Sequence, residues 1–156
     1  MYSPHENAVA SINMPPTDEI PNPPLPSALA TLLEEARQAA QRSYSPYSHF
    51  RVGAALALSN GQVVSGTNVE NASYGLTLCA ERSALVCAVS QFGPEIRIRA
   101  VAVTNLNDAP SPPCGACRQV LAEFIESDAL IVFPAADGLR SMPFADLLPF
   151  GFEMKQ

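Results

Sequence analysis

Cys114 and Cys117 stand three residues apart at the opening of a segment with helical period, so both thiols reach one face of a helix about a turn from each other. They can share a metal ion. Cys79 opens a second helical segment upstream, and a fold that brings the two helix starts together makes it a third ligand. Free N–H groups and the positive dipole end at a helix N-terminus favour thiolates. Four cysteines in 156 residues are far fewer than a disulfide scaffold carries, so clustered thiols point to metal or catalysis in a reducing compartment.

The hydropathy pattern supplies such a fold. Ser27, a good N-cap, precedes Leu29, Leu32, Leu33, Ala36 and Ala40 at helical spacing, which predicts a first helix ending before Ser45-Pro46. Arg51 to Ser59 and Gln62 to Asn68 read as a β-hairpin joined at Asn60-Gly61, a type I′ signal. A loop follows, then a second helix from Cys79 to Ser90 stopped by Gly93-Pro94. Ile96 to Thr104 reads as a buried strand, Cys114 to Glu126 as a third helix and Ala129 to Phe133 as a short strand. Asp137-Gly138 then reverses the chain into an edge strand near Leu139 to Met142. Strands alternating with helices predict a three-layer α/β/α domain on a mixed five-stranded sheet. In this layout two parallel strands, each feeding a helix, set the second and third helix starts side by side.

Residues 1–26 hold seven of the 15 prolines and are expected to be a disordered or extended tail, leaving 27–156 as the catalytic domain. A net charge of −6 offers no electrostatic footprint for a nucleic acid. No run approaches the roughly 20 apolar residues that span a bilayer, and the first residues lack the basic and apolar regions of a secretory signal. The expected location is cytoplasmic, with neither membrane nor nucleic acid as partner.

The remaining cysteine decides what kind of metal site this is. Cys87 lies eight residues after Cys79 on the same helix, about 12 Å along its axis, and cannot join it in a tetrahedron. It is expected to be a small core residue. His5 and His49 offer no easy replacement. A structural zinc closes with four protein ligands, whereas three and an open corner describe a catalytic zinc that binds water. Glu81, two residues after Cys79, faces that corner and suits a proton shuttle. Three thiolates around a divalent ion sum to −1, and the helix ends together with Arg82, beside Glu81, compensate by donating to the ligand sulfurs.

Four ordered motifs go further. The segments Tyr47-Ser48-His49-Phe50-Arg51-Val52-Gly53-Ala54-Ala55, Asn68-Val69-Glu70-Asn71-Ala72, Cys79-Ala80-Glu81-Arg82 and Cys114-Gly115-Ala116-Cys117-Arg118-Gln119-Val120 resemble the small homotetrameric, zinc-dependent cytidine deaminases. The resemblance runs from about residue 30 to the end and leaves the proline-rich tail outside it. It implies hydrolytic conversion of cytidine and deoxycytidine to uridine and deoxyuridine plus ammonia, in pyrimidine salvage, with one Zn²⁺ per chain. It implies Cys79, Cys114 and Cys117 as zinc ligands and Glu81 as the catalytic proton shuttle. It further implies Asn68 and Glu70 as ribose ligands, Phe50 as a wall on the base, and the Ala80 N–H as a donor to the pyrimidine carbonyl. A homotetramer follows from the same likeness, with Tyr74 and Phe152 as inter-subunit candidates and Phe150 as the alternative to Phe152. Pro112 departs from the family pattern, where Ser is frequent; a backbone carbonyl receiving the leaving amine survives that change.

Other functions compete at this point. A deaminase of a nucleoside antibiotic such as blasticidin lacks a use for the Asn68–Glu70 pair, and a nucleic-acid editing deaminase lacks a basic channel. A thiol–disulfide oxidoreductase built on Cys114-x-x-Cys117 leaves Glu81 unexplained. A purely structural zinc module would bind the metal without turnover.

Overall fold

The computed structural model describes residues 27–152. The proline-rich segment 1–26 lies outside the described residues. Within them the order is α1 (Ser27–Ala40), β1 (Val52–Leu58), β2 (Val63–Thr67), α2 (Ala80–Phe92), β3 (Ile98–Asn105), α3 (Gly115–Ala122), β4 (Ile125–Ala135) and β5 (Gly138–Pro143). Short 3₁₀ turns at Tyr74–Leu76 and Phe144–Leu147 precede α2 and follow β5. No helix is long and apolar enough to cross a membrane among the described residues.

The five strands form one mixed sheet in the order β2-β1-β3-β4-β5, in which only β3 and β4 pair in parallel. Side chains alternate across a strand, so each strand contributes to two layers. Ala54, Leu56, Val101, Val103, Ile131 and Phe133 face the layer of α2 and α3 and meet Ala84, Leu85 and Leu121. Their neighbours Ala55, Ala102 and Val132 face Leu29, Leu32 and Ala36 of α1. The expected three-layer α/β/α arrangement is the observed one.

Two glycines let the helices come close to the sheet. A β-carbon on Gly53 would lie 1.9 Å from the Ala36 carbonyl oxygen of α1. One on Gly66 would lie 2.3 Å from the Ala84 nitrogen and 2.8 Å from the Ala80 carbonyl oxygen of α2. Gly66 therefore governs how near α2, with Cys79 at its start, can approach the sheet.

The structure corrects three local expectations. The β1–β2 turn is not type I′, because His49 and Asp108 are the only non-glycine residues with positive φ among those described. Leu58 N–H donates to the Gln62 carbonyl and Gly61 N–H to that of Leu58, so the loop has three residues and only Gly61, with φ 83°, needs the left-handed region. The third helix stops at Ala122 rather than Glu126, because Ile98 N–H donates to the Phe124 carbonyl and Ile125 pairs with Ile98. Pairing with β3 overrides a locally helical pattern there and lengthens β4. The two helix-feeding strands, β2 and β3, run the same way as expected, with β1 between them. Finally, Cys87 is exposed on α2, not a core residue, since its helical position points away from the sheet that buries Ala84, Leu85 and Ala88.

Candidate metal centre and adjoining cavity

Cys79 and Cys114 occupy the N-cap positions of α2 and α3, both with extended backbone. From a cap the side chain lies beside its helix's free N–H groups, and the Cys114 sulfur accepts from Cys117 N–H at 3.4 Å. Cys117, in the first turn of α3, is buried. The sulfurs of Cys79 and Cys114 are 3.9 Å apart, and all three sulfurs lie within 4.8 Å of one another. Tetrahedral zinc with Zn–S bonds of about 2.3 Å requires sulfurs about 3.8 Å apart. The cluster has that size, and Cys87 is not in it.

Electrostatics supports the same conclusion. Hydrogen bonds from Cys117, then from Arg82 and Cys114, hold the Cys79 thiol down at about 5 against the opposing effect of burial. Cys117 moves the other way, pushed up because it gives its hydrogen bond to the Cys79 sulfur and is buried. The two sulfurs thus share one proton, held by Cys117 and directed toward Cys79. Thiols lose their protons on binding a divalent ion, which this donor set suits. Arg82 donates to Thr77 O at 2.9 Å and approaches the Cys79 sulfur at 3.8 Å, and the thiolate in turn raises the pKa of the guanidinium.

Glu81 is 4% exposed, and burial pushes its carboxyl group up from the ordinary 4.5. It lines a cavity of about 320 Å³ together with Phe50, Asn68, Cys79, Ala80 and Cys114, so six expected site residues border one space. Pro112 borders it too. Asn68 is nearly consumed by the protein: its Oδ1 accepts from Ser43 Oγ at 2.6 Å and Val52 N–H at 2.8 Å, and its Nδ2 donates to Phe50 O at 2.8 Å. One amide hydrogen remains for another partner.

Glu70 sits elsewhere. Its carboxylate accepts from Tyr47 N–H at 2.9 Å, from Ser48 N–H at 3.3 Å and from the Ser48 hydroxyl. It lines a neighbouring cavity of about 300 Å³ with Tyr47, Ser48 and Tyr74, and Thr77 borders both cavities. Tyr74 is 84% exposed and Phe152 69%. Gln119 holds the Phe152 backbone at both ends, donating to its carbonyl at 2.8 Å and accepting from its N–H at 3.2 Å.

The motif Cys114-Gly115-Ala116-Cys117-Arg118-Gln119-Val120 therefore contains structural roles that spacing alone did not assign. Arg118 donates to Pro113 O at 2.7 Å and Leu147 O at 3.1 Å, tying the approach to Cys114 to the C-terminal segment. Residues 26–133 match the family model for the cytidine and deoxycytidylate deaminase zinc-binding region. The chain belongs to this family. It is 46% identical over 122 residues to a cytidine deaminase of Halalkalibacterium halodurans, covering 78% of this chain and 91% of that protein. It is 49% identical over 117 residues to a Mycobacterium tuberculosis cytidine deaminase, covering 75% and 84%. Crystal structures agree. The M. tuberculosis enzyme superposes with TM-score 0.70 at 43% identity, covering 80% of this chain and 97% of the other. That of Burkholderia pseudomallei superposes with TM-score 0.71 at 43% identity, covering 79% and 98%. The zinc-binding family gives zinc as the cofactor, and the cluster of Cys79, Cys114 and Cys117 is suited to hold one ion.

Proposed function

We propose that the protein is a cytidine deaminase, converting cytidine or deoxycytidine and water to uridine or deoxyuridine and ammonia. The observation that carries this is the buried Glu81 carboxyl bordering one cavity with the cysteine cluster and an aromatic wall. Cys79, Cys114 and Cys117 would hold the zinc, which when bound would lower the pKa of a water molecule beside Glu81 and so make it a nucleophile. Glu81 takes one proton from the attacking water and gives it to N3 as the water oxygen bonds to C4, then takes the second proton from the resulting C4 hydroxyl and gives it to the amine as the C4–N bond breaks. Burial, which favours the protonated carboxyl, suits it to carry each proton from donor to acceptor.

Other groups bind and orient. The Ala80 N–H, in the first turn of α2, has no intrahelical acceptor and is free to donate to the pyrimidine carbonyl. Phe50 stacks on the base, Asn68 offers its remaining amide hydrogen to the sugar, and the Pro112 carbonyl accepts from the departing amine. Glu70 receives a sugar hydroxyl where the two cavities adjoin at Thr77. Residues 27–156 form the catalytic domain, with 1–26 as an appended tail. The exposed rings of Tyr74 and Phe152 favour a homotetramer in which they reach neighbouring sites, in a cytoplasmic enzyme of pyrimidine salvage.

The test is Glu81→Gln, which retains the shape of the side chain and removes its proton transfer. Zinc content should stay at one per chain while ammonia release from cytidine falls at least about 10²-fold. Near-wild-type turnover would remove Glu81 from the chemistry, and zinc without turnover in the unaltered protein would leave a structural module.

A further inference from the structure

Phe50, the aromatic wall of the cavity, sits in a turn that begins with a strained residue. His49 has a φ of 58°, a left-handed conformation that persists in a non-glycine residue where its surroundings over-determine it. Those surroundings can be accounted for completely. The N–H of His49 donates to Ser45 O at 3.0 Å, that of Phe50 to Ser48 Oγ at 3.0 Å, and that of Arg51 to Asn107 Oδ1 at 2.9 Å. The carbonyl of His49 accepts from Asn107 Nδ2 at 3.0 Å, that of Phe50 from Asn68 Nδ2 at 2.8 Å, and that of Arg51 from Leu106 N–H at 3.0 Å. Every backbone donor and acceptor of the turn is occupied. A single side chain, Asn107, supplies two of these bonds, one on each side of Phe50.

Asn107 is held in its turn by Asn105, which is buried at the end of β3. Asn105 Oδ1 accepts from Asn107 N–H at 2.9 Å and Ala109 N–H at 3.3 Å, while its Nδ2 donates to Ala109 O at 2.6 Å and Ser111 Oγ at 2.8 Å. All four capacities of that amide are used. The loop so fixed continues into Pro110, Ser111 and Pro112, which border the same cavity as Phe50. One loop thus sets both the aromatic wall and the segment leading to Cys114.

On the footing of the cytidine deaminase function proposed above, we infer that Asn107 is a positioning residue for the base: its amide locks the Phe50 turn against the 105–112 loop and so sets the affinity for the pyrimidine ring. Asn107 is exposed and does not border the cavity, so it acts through Phe50. A phenyl ring whose backbone is free to leave the left-handed turn presents its face to the base for only part of the time. The penalty falls on binding.

A double-mutant cycle on the zinc-loaded full chain, with cytidine as substrate, tests this. Asn107→Ala should raise KM about three- to tenfold, as expected for two lost hydrogen bonds at an exposed site, with kcat within about twofold and zinc at one per chain. Asn107→Asp retains the acceptor for Arg51 N–H and should fall between. In a Phe50→Ala background, Asn107→Ala should add less than about twofold to KM. Additive effects on KM, an unchanged KM in the single variant, or a fall in kcat accompanied by zinc loss would each overturn the inference. If Asn107→Ala does not fold, the cycle with Asn107→Asp separates the same outcomes. Hydrogen exchange at the Arg51 amide reports the clamp independently of turnover: it should accelerate in Asn107→Ala, and unchanged protection would refute the clamp. A wild-type protein inactive on cytidine would count against the deaminase function and leave the exchange result to decide on the clamp.

Discussion

Gly66→Ala places a methyl group where α2 lies against β2. The new carbon would stand 2.3 Å from the Ala84 nitrogen, and ordinary contact begins at 3.4 Å, so the helix must withdraw by about 1.1 Å. Both obstructing atoms are backbone, Ala84 N and Ala80 O, which cannot rotate aside. Overpacking of this kind costs about 1–3 kcal/mol, and at roughly 4 °C per kcal/mol for a domain of this size Tm should drop by about 4–12 °C. The displaced segment carries Cys79 and Glu81, whereas Cys114 and Cys117 belong to α3 and stay behind. A misplacement of about 1 Å can reduce catalysis about 10²-fold, and kcat/KM for cytidine should fall by that order together with zinc retention under mild chelation. Gly75→Ala is the control, because nothing lies within 4 Å of its added carbon. If Gly66→Ala kept wild-type zinc, Tm and rate, the close approach of α2 would not be what assembles the centre.

Cys87→Ala should leave zinc content and turnover unchanged and alter stability by less than about 0.5 kcal/mol, since Cys87 is exposed and outside the sulfur cluster; loss of metal would overturn the ligand set. The Ser48 hydroxyl, followed by the Tyr47 and Ser48 amides, holds the Glu70 carboxyl below its ordinary 4.5. A depressed folded-state pKa contributes stability that is present above 4.5 and lost as pH falls through the lower value. Denaturant midpoints between pH 6 and pH 3 should therefore decline less steeply in Glu70→Gln than in wild type. Phe152→Ala should raise KM for cytidine up to about tenfold, the scale of one lost aromatic stack, without changing zinc content. An unchanged KM would exclude Phe152 from the neighbouring site and favour Phe150, which is 97% exposed.

Much of this centre is local, and local features are readable. Cys114 and Cys117 share a helix face because a turn has 3.6 residues, and Cys79 and Glu81 are two residues apart at another helix start. The alternation of helical and strand periods likewise anticipated the layers and the edge strand β5. What resisted was set by contacts between distant segments. Ile98 pulls Phe124 and Ile125 out of a helical pattern, and Cys87 has small-residue character yet lies on the uncovered face of α2. Asn105 and Asn107 carried no visible signal beyond an Asn-rich loop, since the partners of Asn107 at His49 and Arg51 are more than 50 residues away.

The primary structure by itself determined which atoms can bind the metal, where each thiol meets a helix start, and which faces of the strands are apolar, because these follow from periodicities of two and 3.6 residues. Tertiary structure alone decided that three sulfurs from two helices converge, that Glu81 is enclosed beside them, and that Glu70 spends its carboxylate on the Tyr47–Ser48 turn. Such distances depend on how closely α2 and α3 pack on the sheet, which Gly66 permits but no local period encodes.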